Sequence, residues 1–292
     1  MPEDCQKKTT DTIGVILPDL VGEFFMDIIH GIDEEAYKAN RYVMISSSHS
    51  QRNMIETLIE FMSSGRVDGV ILMLPQKHSQ VEEFIAKSKR PIVLINSYSD
   101  LQGLVNFQID NYQGAFNCVE HLINHGYKRI AIIKGPAANF DAQERYSGYL
   151  DALSKNNIEH NASFVINGDF QTESGYYGFM RLMSLSNKPE AVFVSNDMMA
   201  LGAYEAAKML NLKIPKDVAI TGFDDIYLSK LLNPRLTTVH VPISELGAKA
   251  VNYLIKMIEG EVSNKTVYKE VLSTGLVIGG SCGCNNGLQS VL

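Results

Sequence analysis

The stretch EAVFVSNDMMALGAYEAAKML, Glu190–Leu210, decides the fold. A short run of apolar and β-branched residues, AVFVS (191–195), stops at a polar pair, Asn196 and Asp197, and an amphipathic helical pattern follows. Continuous rather than alternating apolar character is what a strand buried on both faces of a parallel sheet looks like. An amide and a carboxylate thus stand where a core strand ends.

The same grammar recurs along the chain. TIGVIL (12–17), YVMIS (42–46), VDGVILM (67–73), PIVLIN (91–96), IAIIKG (130–135), FVING (164–168) and VAITGF (218–223) are further short apolar runs. Helical spacing fills the gaps. Phe25, Ile28, Ile29, Ile32 and Ala36 fall at i, i+3, i+4, i+7 and i+11; Met54, Leu58, Ile59 and Met62 form a second stripe; Ala115, Val119, Leu122 and Ile123 form a third. Alternating strands and helices predict an α/β fold with parallel sheets joined by right-handed crossovers. Near 236 the rhythm changes to LTTVHVP, a helix over 243–260 and the extended VYKEVLSTGLVIGG.

The 292 residues exceed the usual single core and predict two lobes. A hydrophobic fraction of 45% with 20% charged residues is that of an ordinary globular protein. A net charge of -7 and the lack of a basic cluster argue against a grip on nucleic-acid phosphates by these residues. The opening MPEDCQKKTT has no apolar core of signal-peptide length, and no run is long enough to span a membrane, so the expected location is the cytosol.

In an open parallel sheet, ligands sit beyond the carboxyl ends of the strands. Asp19, Ser46–Ser48, Asn96, Asn139, Asp141, Asn196 and Asp224 all follow expected strands. Each can equally cap a following helix. Asp197 reads as the cap of the helix beginning at Met198, which leaves Asn196 for a ligand.

Enzyme and metal readings lack their hardware. No Gly-x-Ser-x-Gly, Walker, Gly-x-Gly-x-x-Gly or His-Glu-x-x-His motif occurs. His121 and His125 could share a metal, but no third ligand stands at a suggestive spacing. Cys282 and Cys284, in SCGC, read as inert thiols or a strained local disulfide. The expectation is therefore no catalytic residue, no cofactor and no metal.

Six stretches taken together resemble the effector-binding core of the lactose/galactose-repressor (LacI/GalR) family, which is similar in fold to periplasmic sugar-binding proteins. They are IGVILPDLVGEFFMDIIHGIDEEAYKANRYVMI, RVDGVILM, IDNYQGAFNCVEHLINHGYKRIAIIKGP, ERYSGYLDAL, VSNDMMALGAYEAAKMLNLKIPKDVAITGFDDI and PRLTTVHVPISELGAKAVNYLIKMIEG. They occur in the family's order and cover roughly residues 12 to 280. The resemblance implies two Rossmann-like lobes: 12–127 plus 238–262, and 128–237 plus 263–282, with tails at 1–11 and 283–292. It places chain crossings near Gly126, Leu236–His240 and Glu261–Thr266. It implies ligand contacts from Phe24, Phe25, Ser47, Asp110, Asn139, Asp141, Arg145, Phe170, Asn196 and Asp224. Phe25 also fits the packing stripe of its helix, and Arg145 could pair with Glu144 or Asp151 on a solvated face.

Aromatic faces with a ring of directional polar groups suit a polar, uncharged ligand such as a sugar or sugar derivative. The resemblance further implies signalling by lobe closure, a homodimer to which the helix at Met54–Met62 contributes, and operator DNA contact through a headpiece. No helix-turn-helix signature is visible here, and about a dozen polar residues precede the IGVI strand. Either the headpiece lies outside this stretch, or the sensor feeds another output such as a kinase or cyclase beyond SCGC. A transport-type binding protein is a third reading.

Overall fold

A computed structural model describes residues 9–20, 22–47, 54–97, 104–264 and 266–284. Cys5, Ser48 and the NNGLQSVL ending lie outside those residues, as do the side chains of Met54 and Ile55. The elements, in chain order, are β1 Thr12–Leu17, α1 Glu23–Lys38, β2 Tyr42–Ser47, α2 Met54–Ser63, β3 Gly69–Met73, α3 Ser79–Lys87, β4 Ile92–Ile95 and β5 Val105–Ile109. There follow α4 Asn111–Asn124, β6 Ile130–Lys134, α5 Phe140–Lys155, β7 Val165–Asn167, α6 Thr172–Met183, β8 Ala191–Val194, α7 Asp197–Met209 and β9 Ala219–Thr221. The last are β10 Thr238–His240, α8 Ile243–Glu259, β11 Tyr268–Leu272 and β12 Gly275–Val277.

The chain divides into two compact units, residues 1–108 with 243–272 and residues 109–242 with 273–292. The first holds a sheet of order β11-β5-β4-β3-β1-β2, in which β1 to β5 pair in parallel. Its core forms where Ile16, Val70, Leu72 and Leu94 of the strands meet Leu58 and Phe61 of α2 and Val81 and Ile85 of α3. The second unit holds a parallel sheet of order β7-β6-β8-β9 and the antiparallel pair β10-β12. Ile133, Val192 and Val194 there pack on Phe179 and Leu182 of α6 and on Ala200 and Ala203 of α7.

The boundaries differ from those the resemblance implied. Residues 109–127 go with the second unit, because α4 packs along α5: the Cβ an alanine would place at Gly148 falls 2.4 Å from the Tyr112 carbonyl. Residues 238–242 also go with it, because β10 pairs with β12. Residues 263–272 go with the first, where β11 adds to the edge of the sheet beside β5.

In both units helices cross on glycine. A Cβ at Gly31 of α1 would fall 2.0 Å from the Ser244 carbonyl oxygen of α8, and one at Gly175 of α6 or Gly202 of α7 would fall 2.0 or 1.9 Å from a backbone oxygen of the opposite helix. Mid-helix glycine costs about 0.5–1 kcal/mol relative to alanine, so it persists where a side chain cannot fit. Gly202→Ala should therefore reverse the usual sign, lowering the unfolding free energy by about 1–3 kcal/mol in urea titrations. A gain in stability would contradict the close approach.

Candidate functional site

The second unit collects polar side chains at the carboxyl ends of its parallel strands, where loops leave the core. Arg145, on the second turn of α5, is their centre. It is buried to 3% exposure, so the solvated-face reading fails. Its expected surface partner Asp151 instead accepts from Tyr112 Oη at 2.8 Å.

Arg145 Nε donates to Asn111 Oδ1 at 2.8 Å, and Asn111 Nδ2 donates to Asp141 Oδ1 at 2.9 Å. Arg145 Nη1 donates to the Ser195 carbonyl, beyond the end of β8. Asp224 Oδ1 lies 3.3 Å from Arg145 Nη2, close enough to pair by charge. It receives no aligned hydrogen bond among the described residues, and neither does the buried Ser195 hydroxyl. The guanidinium carbon sits 3.8 Å from the centre of the Phe223 ring and 5.8 Å from that of Phe170.

Backbone geometry aims several of these groups. Asp224 has φ 112°, Asp225 φ 59° and Phe170 φ 70°, the left-handed side that non-glycine residues avoid at a cost of order 1–3 kcal/mol each. The Asp224 N–H donates to the Val239 carbonyl at 2.9 Å, which holds the turn. Asp225 takes the structural role in GFDD, pairing with His240 Nδ1 at 3.0 Å. The Phe170 ring covers Gly135, where a Cβ would come within 2.2 Å of it.

Helix capping resolves differently from the expectation. Asn196, not Asp197, caps α7: its Oδ1 accepts from the Met199 N–H at 3.0 Å while its Nδ2 donates to the Phe170 carbonyl at 3.1 Å. Asp197 is the first helical residue and fully buried, accepting from the Ile226 N–H at 3.1 Å and the Thr238 hydroxyl at 2.6 Å. Asp110 and Asn139 cap α4 and α5, accepting from Gln113 and Ala142 N–H groups at 3.0 and 2.9 Å.

The structure thus brings Asp141, Arg145, Phe170, Asn196 and Asp224 into one cluster, sets Asp197, expected only as a cap, beside them, and adds three residues that sequence reasoning passed over: Asn111, Ser195 and Phe223. Each adjoins a residue it did single out, in IDN, SND and GFDD. Phe24, Phe25 and Ser47 belong to the first unit. Phe24 and Phe25 are half-buried at the start of α1, their rings in edge contact at 5.4 Å, and Ser47 is buried at the end of β2.

Arg145 reaches two buried carboxylates, Asp224 directly and Asp141 through Asn111, and a third, Asp197, feels the charge of Asp224. Burial pushes Asp224 up to about 7 from an ordinary 3.8, with Arg145 opposing the rise and Asp141 adding to it. Burial likewise lifts Asp141 to about 6 against the pull of Arg145. Asp197 rises well above the usual carboxylate range, first by burial and then by the charge of Asp224.

The third ligand that spacing did not suggest for His121 and His125 comes from far along the chain: among the described residues His121, His125, Cys282 and Cys284 converge with their ligand atoms within 4.8 Å of one another. Cys282 and Cys284 are free thiols, not a disulfide.

Comparison with known proteins fits this geometry. The family model for a periplasmic binding protein-like domain matches residues 119–282. The HTH-type transcriptional repressor CytR of Escherichia coli (strain K12) is 34% identical over 264 residues, 89% of this chain and 76% of its own. The chain belongs to the LacI/GalR family.

Among solved LacI/GalR-type structures, the transcriptional regulator CelR in its cellobiose complex superposes with a TM-score of 0.86 at 25% identity, over 94% of this chain and 85% of that one. A LacI family transcriptional regulator from Enterococcus faecium with bound ribose gives 0.82 at 26%, over 92% and 98%. The curated relative is named as a repressor, not an enzyme, and no described helix is long and apolar enough to cross a membrane.

The raised carboxylates give this LacI/GalR core a pH signature. The folded state holds protons on Asp141 and Asp224 up to about 6 and about 7, whereas the unfolded chain releases them near 3.8. The native state therefore binds more protons across that window, and their contribution to stability falls as pH rises through it. Denaturation midpoints of the wild type minus those of Asp224→Asn should decline from about pH 5 to about pH 8. A flat difference would show that Asp224 does not titrate there.

Proposed function

We propose that this chain is the effector-binding core of a LacI-type transcriptional regulator, and that its effector is a polar, uncharged molecule of the sugar or sugar-derivative class. The observation that carries the reading is the Arg145–Asp224 pair: buried, 3.3 Å apart, with Asp224 in a strained backbone conformation and the Arg145 guanidinium against the Phe223 and Phe170 rings. Strained buried polar groups persist where surrounding structure over-determines them, which happens at ligand clamps.

In this reading Asp224, Asp141 and Asn196 accept from or donate to ligand hydroxyls. Arg145 supplies fixed donors, and Phe170 covers an apolar ring face. Asp110 and Asn139 contribute beside their capping roles, and Phe24, Phe25 and Ser47 contribute from the first unit. Support for the sugar class comes from the cellobiose-bound and ribose-bound neighbours and from the excess of acceptors around Arg145. A ligand rich in hydroxyl donors satisfies carboxylates that lack enough donors of their own.

Occupancy is reported, in this proposal, by a shift between arrangements of the two units, which requires unequal effector affinity for them. A headpiece and a homodimer turn that shift into operator release or capture. Support for a dimer comes from the apolar exposure of Ile59 on α2 and of Tyr42 and Ile45 on the edge strand β2. Ile59→Glu with Ile45→Lys should yield a monomer in light scattering, where wild type gives twice the chain mass; an unchanged mass would place the interface elsewhere.

A thermal-shift screen over sugars and their derivatives tests the ligand class. An effector at 100 times its dissociation constant adds about 2.7 kcal/mol to wild type. Asp224→Asn, which keeps the shape and removes the charge, should weaken binding at least about tenfold, the loss of about 1.4 kcal/mol expected for a charged hydrogen bond. Without effector, the same variant should be more stable than wild type near pH 8. Full retention of the effector shift in Asp224→Asn would remove this residue from the site.

A further inference from the structure

His121 and His125 stand four residues apart on the last turn of α4 and its cap, so both imidazoles leave the same helix face. Their ring centres are 4.6 Å apart. From the opposite direction comes the chain beyond β12. The Gly279 N–H donates to Thr237 Oγ1 at 2.9 Å, and the Gly280 N–H to the Arg235 carbonyl at 2.9 Å. Ser281 locks to Ile220 on both sides, its carbonyl accepting from the Ile220 N–H at 3.1 Å and its hydroxyl donating to the Ile220 carbonyl at 2.6 Å.

This stitching ends where the cysteines begin. The Tyr127 hydroxyl donates to the Cys282 carbonyl at 3.2 Å, and Gly283, at φ 100°, turns the chain so that Cys284 comes round to the histidines. Cys284 Sγ lies 3.1 Å from His125 Nε2 and 3.8 Å from His121 Nε2. Cys282 is fully buried beside them.

Zinc bound at about 2.3 Å by thiolates and about 2.0–2.1 Å by imidazoles spaces its ligand atoms roughly 3.3–3.8 Å apart in a tetrahedron. The four atoms here already lie within 4.8 Å of one another, so small side-chain rotations close the shell. Two sulfurs and two imidazole nitrogens form a donor set that favours zinc over calcium, magnesium or manganese. We propose that His121, His125, Cys282 and Cys284 form a structural zinc site that fastens the chain after β12 to the end of α4. Four protein ligands complete the coordination and leave no position for a reacting water, so the role is structural. The site lies ten residues along α4 from Asn111, about 15 Å from the Arg145 cluster, and does not depend on the effector reading.

The full chain, purified under reducing conditions, should carry one zinc per chain by elemental analysis. After chelation, added zinc should restore it and raise the thermal midpoint, and cobalt should give the absorption of a tetrahedral thiolate complex. Cys284→Ser and His125→Ala should each lose stoichiometric zinc and the zinc-dependent rise in midpoint, while their circular dichroism without metal stays that of the metal-free wild type. The proposal is overturned if the metal-free wild type takes up no zinc, if both variants bind it as tightly as wild type, or if protein kept reduced holds a Cys282–Cys284 disulfide.

Discussion

A buried guanidinium shared between two buried carboxylates organises the polar cluster of the second unit. The Arg145 guanidinium reaches Asp224 directly and Asp141 through Asn111. It leaves Asp197, a third buried acid raised by the charge of Asp224, to other partners, and taking unpaired charges out of water costs several kcal/mol each. Burial raises the pKa of each carboxyl, and fixed donors answer the charge of Asp197, the Thr238 hydroxyl and the Ile226 N–H.

Capping and ligand contact, rival readings of the sequence, are compatible in the structure. The amide of Asn196 has two ends: its oxygen satisfies the Met199 N–H at the start of α7, and its nitrogen fixes the Phe170 carbonyl. Capping thereby holds a polar side chain at a strand end in a set rotamer. Binding groups need such preorganisation, since each side chain immobilised only on binding costs about 0.5–1.5 kcal/mol. Asp110 and Asn139 are held by the same device on α4 and α5.

The strands buried on both faces were legible because nothing polar interrupts them: β1 spans Thr12–Leu17, as its apolar run predicts. The strand β5 was not, because VNFQI alternates with Asn106 and Gln108. Both amides donate to the Ser97 carbonyl, so the polar residues serve a loop at the sheet's end that sequence patterns do not reveal. The unit boundaries were misread for a related reason: that β10 pairs with β12 and β11 with the β5 edge depends on chain pairings remote in sequence. Arg145 stands out by its motif, yet its partners lie 34 and 50 residues away at Asn111 and Ser195. The histidine and cysteine pairs are a stronger case, since 159 residues separate His125 from Cys284.

Helix α4 carries both features, with Asn111 at one end and His121 at the other, which raises the question of whether they are coupled. Packing answers it. The helix is seated on α5 by backbone contact at Gly148, where no Cβ fits, and by the Tyr112–Asp151 hydrogen bond. At its start Gly114 lies against Thr274 and Phe223, where a Cβ would meet Thr274 Oγ1 at 2.7 Å. Asn111 is thus placed by contacts within its own first turns and by Arg145 itself, about 15 Å from the last turn. Fixing the far end of α4 restrains the chain after β12, while the polar cluster keeps its geometry from the tight helix pair beneath it.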